Sequence, residues 1–247
     1  MNVNVTGPFV YFVIPIFGGI PVSQTTISSL LLTIVLCVLC IRFGKDLKMR
    51  PDGKQVLIEK GVSMMHGMVV DTMGAHNAHW TPFIIVLFIS SICGSLIGMT
   101  GFLRSTTADL STTLTWSLMV TALIWYNNIK NNGFVGWLKG FTEPVVVMTP
   151  MNIISEIAQP VSMAFRHFGN IVSGMVISAL IYAALTVANQ ALFGLLPGAI
   201  GDWLGAIPFL TVGIPAIVSL YFDWFGSFMQ AFIFCMLTMM FIASAAE

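Results

Sequence analysis

Ser162-Met163-Ala164-Phe165-Arg166-His167-Phe168-Gly169-Asn170 lies near the middle of an apolar stretch running from about Met151 to Ala188. Arg166 cannot escape burial by losing its proton. A charge at mid-membrane costs from about 2.5–3.5 kcal/mol on insertion scales to several times that in simulations. An intramembrane ionisable group is therefore a functional-site hypothesis from the outset.

The surrounding composition supports a membrane setting. The chain has 247 residues, 57% hydrophobic and 8% charged, with a mean hydropathy of +0.91. A soluble domain of this size needs more charge to cover its surface, so the expectation is an integral membrane protein. Ten basic and ten acidic residues balance, which argues against a nucleic-acid binder. Met1–Gly7 has neither a positive segment nor a small-residue cleavage site and is not read as a signal peptide. Cys37, Cys40, Cys93 and Cys235 all fall in apolar runs and read as small core residues.

The expected fold is all-α: a single membrane domain over 1–247 with about five membrane helices and one amphipathic surface helix. The spans fall at about 27–43, 82–103, 110–125, 151–188 and 206–246. The surface helix occupies about 55–79, where Leu57, Ile58, Val62, Met65, Met68, Val69 and Met73 recur at helical steps among Glu59, Lys60, His66 and Asp71. Arg104 to Asp109 reads as a polar hairpin turn, and Asn127 to Thr149 as an irregular glycine-bearing stretch. The last two apolar runs are each close to forty residues, about 60 Å as helices. Hydrocarbon is only ~30 Å thick, so both are expected to be long and strongly tilted, kinked or broken. Basic residues cluster at Arg42–Lys60 and at Lys130 and Lys139, which places the N-terminus outside and the C-terminus inside.

Polar residues ride on the last two runs. Asn152, Glu156, Gln159, Ser162, Arg166, Asn170 and Ser173 follow at steps of three or four on the fourth, and Asp223, Ser227, Gln230 and Thr238 on the fifth. Interhelical hydrogen bonding accounts for the serines and asparagines, at ~0.6 kcal/mol per pair. It does not account for Arg166, Glu156 and Asp223 together. An aqueous half-channel lined with titratable groups and ending at a fixed positive charge does. That charge lowers the pKa of a carboxylate brought within ~4–6 Å, and the chain itself offers no second set of carboxyls, so a moving partner has to bring them. His167 lies about 100° away from Arg166 on a helix, with either a proton-relay or a packing and water-facing role.

These residues resemble subunit a of the rotary F-type ATP synthases. The family's signature is a small-residue run leading into Arg-Leu-Phe-Gly-Asn, here Arg166 to Asn170. Glu156-Ile157-Ala158-Gln159-Pro160-Val161-Ser162 is similar to the family's lead-in, and Gln230-Ala231-Phe232-Ile233-Phe234 to its downstream motif. The resemblance implies a non-catalytic stator that carries ions at the rim of a c-subunit ring. It also implies the b subunit of the peripheral stalk and the rest of the complex as partners, besides the lipid bilayer. Arg166 would prevent ionic short-circuit, and Gln230 would hydrogen-bond near it across the two helices. Asp223, with Ser227 and Gln230, would serve the outer path, Asn152 and Glu156 the inner one, and His167, Asn170 and Ser173 would lie along the route. The chain departs from the family at His167, usually Leu, at Asn152 and Met175, where many members carry acids, and at Asp223, which is inferred to replace the missing titratable group. The ion is read as H⁺ in preference to Na⁺. No cofactor or metal is expected: Asp71, His76 and His79 read as interfacial polar residues, and no nucleotide motif occurs. The rival readings are a secondary transporter with Arg166 binding an anionic substrate, and a non-transporting scaffold.

Overall fold

A computed structural model describes residues 9–15, 19–45, 47–49, 53–142, 145–193, 217–218 and 220–245. It is helical apart from a small antiparallel hairpin, β1 (Val10–Ile14) and β2 (Ile20–Ser23). Sequence reading assigned no structure there, although Val-Tyr-Phe-Val-Ile has strand character. Ser23 ends the hairpin and caps α1 (Gln24–Gly44), its hydroxyl accepting from the Thr26 N–H at 3.4 Å.

Helix α2 (Lys54–Met73) begins where the surface helix was expected and stops earlier. Met65, Val69 and Met73, at steps of four, turn inward, whereas Leu57, Val62 and Met64 stay exposed. Asn77 closes the helix by donating Nδ2 to the Met73 carbonyl at 3.1 Å. A 3₁₀ stretch, Ala75–Trp80, leads into α3 (Thr81–Leu96).

The turn after α3 was read as a polar connection, but Ser105, Thr106, Thr107 and Ala108 are buried. Most of their hydroxyls are satisfied: Ser105 donates to the Gly94 carbonyl at 3.1 Å, and Ser95 and Thr107 pair at 3.0 Å. Burying polar groups that bond one another costs little. Asp109 then caps α4 (Leu110–Gly140), accepting from the Ser111 N–H at 3.0 Å.

The stretch read as irregular is mostly helix. Helix α4 runs on to Gly140, broken at Gly133, whose φ of 73° is left-handed backbone suited to glycine. The break has a measurable consequence. Trp125 and Trp137 have ring centroids 6.1 Å apart, whereas twelve residues of straight helix would separate them by about 18 Å.

Helix α5 (Thr149–Phe193) has 45 residues, about 67 Å, with Pro160 inside it. Ser117 of α4 donates its hydroxyl to the Pro160 carbonyl and ties the two helices there. Of the last expected span, 206–216, 219 and 246 lie outside the described residues. The rest is a π-helical turn, Leu220–Phe225, followed by α6 (Gly226–Ser244). The core gathers Val69, Ile84, Leu87, Val120, Met163 and Phe234 with Met239 and Ile242.

Among the described residues four helical segments are long and apolar enough to cross a membrane: Gln24–Gly44, Ala75–Thr100, Val146–Leu192 and Leu220–Ser244. The chain is thus an all-α, multi-pass membrane protein, and the expected count of five is approximate. Helix α4, which holds the expected 110–125 span, falls outside that set because Ser, Thr, Asn and Lys dilute its apolar residues.

Candidate functional site

Arg166 is exposed on α5, and His167, the next residue, is 1% exposed. A helical step of 100° explains the contrast: one side chain leaves the bundle, the other enters it. Among the described residues Arg166 has no hydrogen-bond or ion-pair partner. Its surroundings on α5 are Ser162, also exposed, with the apolar Val161 and Phe165.

Helices α5 and α6 meet closely beside it. Asn170 donates Nδ2 to the Gly226 carbonyl at 3.0 Å, and Ser173 donates to the Asn170 carbonyl at 3.0 Å. The ring of His167 packs edge-on against Phe234 at 5.5 Å, so α5 and α6 run antiparallel, with Arg166 and Gln230 at about the same level. Among the described residues no hydrogen bond joins those two side chains. Gln230 is 6% exposed and turned into the bundle with Ser227, Phe234 and Thr238, because that whole face of α6 is the one that packs.

Asp223 is half-buried in the π-helical turn. The expectation had placed it on one face with Ser227, Gln230 and Thr238. Asp223 lies four residues before the buried Ser227 and is less buried than it. Turns of the π type occur frequently at functional sites.

At the other end of the polar stripe, Asn152 donates Nδ2 to the Phe141 carbonyl at 2.9 Å. Glu156 accepts from the indole N–H of Trp125. A cavity of about 370 Å³ opens here, lined by Asn128, Trp137, Phe141, Asn152, Ser155 and Glu156. Trp137 contacts both Trp125 and Phe141, the latter at 5.1 Å, so aromatic rings form one wall of an otherwise polar recess. The structure thus separates the site residues into Arg166, displayed outward near Asn170, which bonds α6, and an Asn152–Glu156 group facing the end of α4.

Two participants escaped the sequence reading. Trp125 lies at the end of an expected span, and its partner lies 31 residues away. Ser91 carried no signal, yet its hydroxyl is 3.2 Å from His167 Nε2. On the 3₁₀ stretch, His76 Nε2 pairs with Asn77 Nδ2 at 2.9 Å. Among the described residues no group of three His, Cys, Asp or Glu side chains could hold a metal ion.

Residues 25–243 match the ATP synthase A chain family. Subunit a of the sodium-ion-specific ATP synthase of Propionigenium modestum is 29% identical over 239 residues, covering 91% of this chain and 74% of that one. ATP synthase subunit a of Desulforamulus reducens is 31% identical over 231 residues, covering 92% and 81% respectively. The Oceanobacillus iheyensis protein of the same name is 28% identical over 238 residues, covering 91% and 92%. A match across nearly the whole chain, joined to a multi-pass helical fold with a lone exposed arginine on its longest helix, places this chain in the ATP synthase A chain family, the non-catalytic ion-translocating membrane subunit of the F-type complex.

Proposed function

We propose that Arg166 divides two half-channels, each giving ions access to the carboxylates of a rotating c-subunit ring. The observation that carries this reading is the outward display of Arg166 on α5. Ile154, Ile157, Val161 and Phe165 are exposed on the stretch leading to the arginine. An apolar surface bearing a single permanent cation suits a partner with its own mid-membrane carboxylates. Beside Arg166 such a carboxyl gives up its proton, and in lipid its raised pKa favours rebinding.

Asn152 and Glu156, with the polar cavity beside them, serve the inner path. Asp223 serves the outer path, with Asn170 and Ser173 on α5 and with Ser227 and Gln230 behind it on α6. His167 supports the route from within the bundle. The ion is H⁺ in preference to Na⁺. Counting α4 as a fifth span, the distribution of Lys and Arg orients the N-terminus outward and the C-terminus to the cytoplasm of a bacterial plasma membrane. Subunit b and the remainder of the complex hold the single membrane domain stationary against the ring.

The test is Arg166→Ala in the whole complex, assayed in vesicles for ion-driven ATP synthesis. Synthesis is expected to disappear while the subunits still co-purify. Coupled synthesis at normal rates overturns the assignment.

A further inference from the structure

His167 lies where four helices converge. Its Nε2 faces the Ser91 hydroxyl of α3 at 3.2 Å, and its ring rests edge-on against Trp116 of α4 at 6.0 Å and Phe234 of α6 at 5.5 Å. This anchors one side of the imidazole and leaves the other nitrogen to be accounted for. Nδ1 is buried and has no hydrogen-bond partner among the described residues.

Two further polar atoms share that condition, Ser227 Oγ and Gln230 Nε2. Both belong to the face of α6 that ends in Phe234, at spacings of three and four residues, so they form one row. The Asn170–Gly226 bond fixes the register of the antiparallel pair. One turn back from Asn170 is His167, and one turn on from Gly226 is Gln230, with Ser227 between. The three side chains therefore fall within about one turn of one another along the α5–α6 seam. His167 and Ser227 are each 1% exposed and Gln230 is 6% exposed, so no partner subunit or lipid headgroup reaches them from outside.

We propose that His167 Nδ1, Ser227 Oγ and Gln230 Nε2 enclose a binding site for one water molecule, and that this water positions the Gln230 amide at the level of Arg166. Buried polar atoms are almost always paired, and a buried water typically makes about three hydrogen bonds. The donors and acceptors balance. Gln230 Nε2–H donates to the water oxygen. The water donates to His167 Nδ1, which accepts when Nε2–H points at Ser91. Ser227 takes the remaining position as donor or acceptor. The result is a continuous set of bonds from α3 through α5 to α6, behind the outward-facing arginine. His167 is thus a positioning residue acting on Gln230 through the water. This pocket stands on its own geometry and goes beyond the ion-path reading, which survives if the water is not found.

The experiment is a cryo-electron microscopy map of the intact complex in lipid nanodiscs, at a resolution that shows ordered water, for the native chain, His167→Leu and His167→Asn. The native map is expected to show an isolated peak at about 2.7–3.2 Å from the three atoms. His167→Leu is expected to lose the peak and change the Gln230 rotamer, while His167→Asn, which keeps a polar group at that position, retains both. A native map in which Gln230 bonds His167 directly, or in which the pocket holds no peak, overturns the proposal. So does a peak and rotamer unchanged in His167→Leu.

Discussion

Trp125 donates its indole N–H to Glu156, joining the apolar half of α4 to the acid that opens the polar stripe of α5. The bond spans two helices and orients a carboxylate that would otherwise be free to swing. Trp125→Phe keeps an aromatic ring and removes only the donor. A hydrogen bond to a charged group contributes about 1.5–3 kcal/mol, and 1.4 kcal/mol corresponds to tenfold in an equilibrium. Loss of ion-driven ATP synthesis by about tenfold, with the complex still assembled, is the expected outcome in reconstituted vesicles. Unchanged synthesis would show that Glu156 needs no such support.

Asp223 sits on the π-helical turn, half-buried, whereas Glu59 is exposed on α2 and accepts from Gln55 at 2.6 Å. Asp223→Asn should lower ATP-driven ion pumping severely, and Glu59→Gln should leave it near the native rate. Fluorescence-quench assays on inverted membranes compare the two directly. Equal effects would remove Asp223 from the outer path.

Asp109 gives a pH dependence. Burial raises its pKa, but the Ser111 and Thr25 hydroxyls, the Ser111 N–H and the charge of Arg104 together outweigh this and hold it below the usual carboxylate value. A depressed folded-state pKa means the stabilisation is fully present above the unfolded value, about 4, and is lost as pH falls through the lower folded value. Thermal unfolding of the detergent-solubilised complex should therefore show an acid-side loss that Asp109→Asn flattens. Thr25→Val, which deletes the 2.6 Å donor to Asp109 Oδ2, should move that loss to higher pH.

Gly94 offers a packing test. A Cβ placed there would clash with Thr106 Oγ1, in a turn where Thr106 is 1% exposed. Gly94→Ala should destabilise the fold by about 1–3 kcal/mol. Gly94→Ala combined with Thr106→Ala should recover part of that loss in the same unfolding assay, since the obstructing hydroxyl is gone.

What the sequence made legible was whatever depends on composition and short-range period. Arg166 against its apolar background, the length of α5 and the inward row of α2 all follow from counting along one helix. The π turn that holds Asp223 was not legible, because no residue announces it. The burial of Ser227 and Gln230 was also hidden: spacing shows that they share a face but not which neighbour that face meets. Trp125 and Ser91 act through partners on other helices, and pairs of this kind leave no mark in local pattern. The fold-back of α4 was half visible, since Gly133 was noticed as an irregularity but not as a hinge within a continuing helix.

The uninterrupted length of α5 carries a consequence for how this chain can change. Each residue added to a helix turns everything beyond it by about 100° and advances it by 1.5 Å. One alanine inserted between Glu156 and Arg166 would swing the arginine off the outward face and carry His167 out of its four-helix junction. Eleven inserted residues, about three full turns, would restore the direction but displace it by about 16 Å. Helix α5 is therefore a ruler with an angular scale, on which insertions and deletions between Asn152 and Ser173 are far more damaging than substitutions.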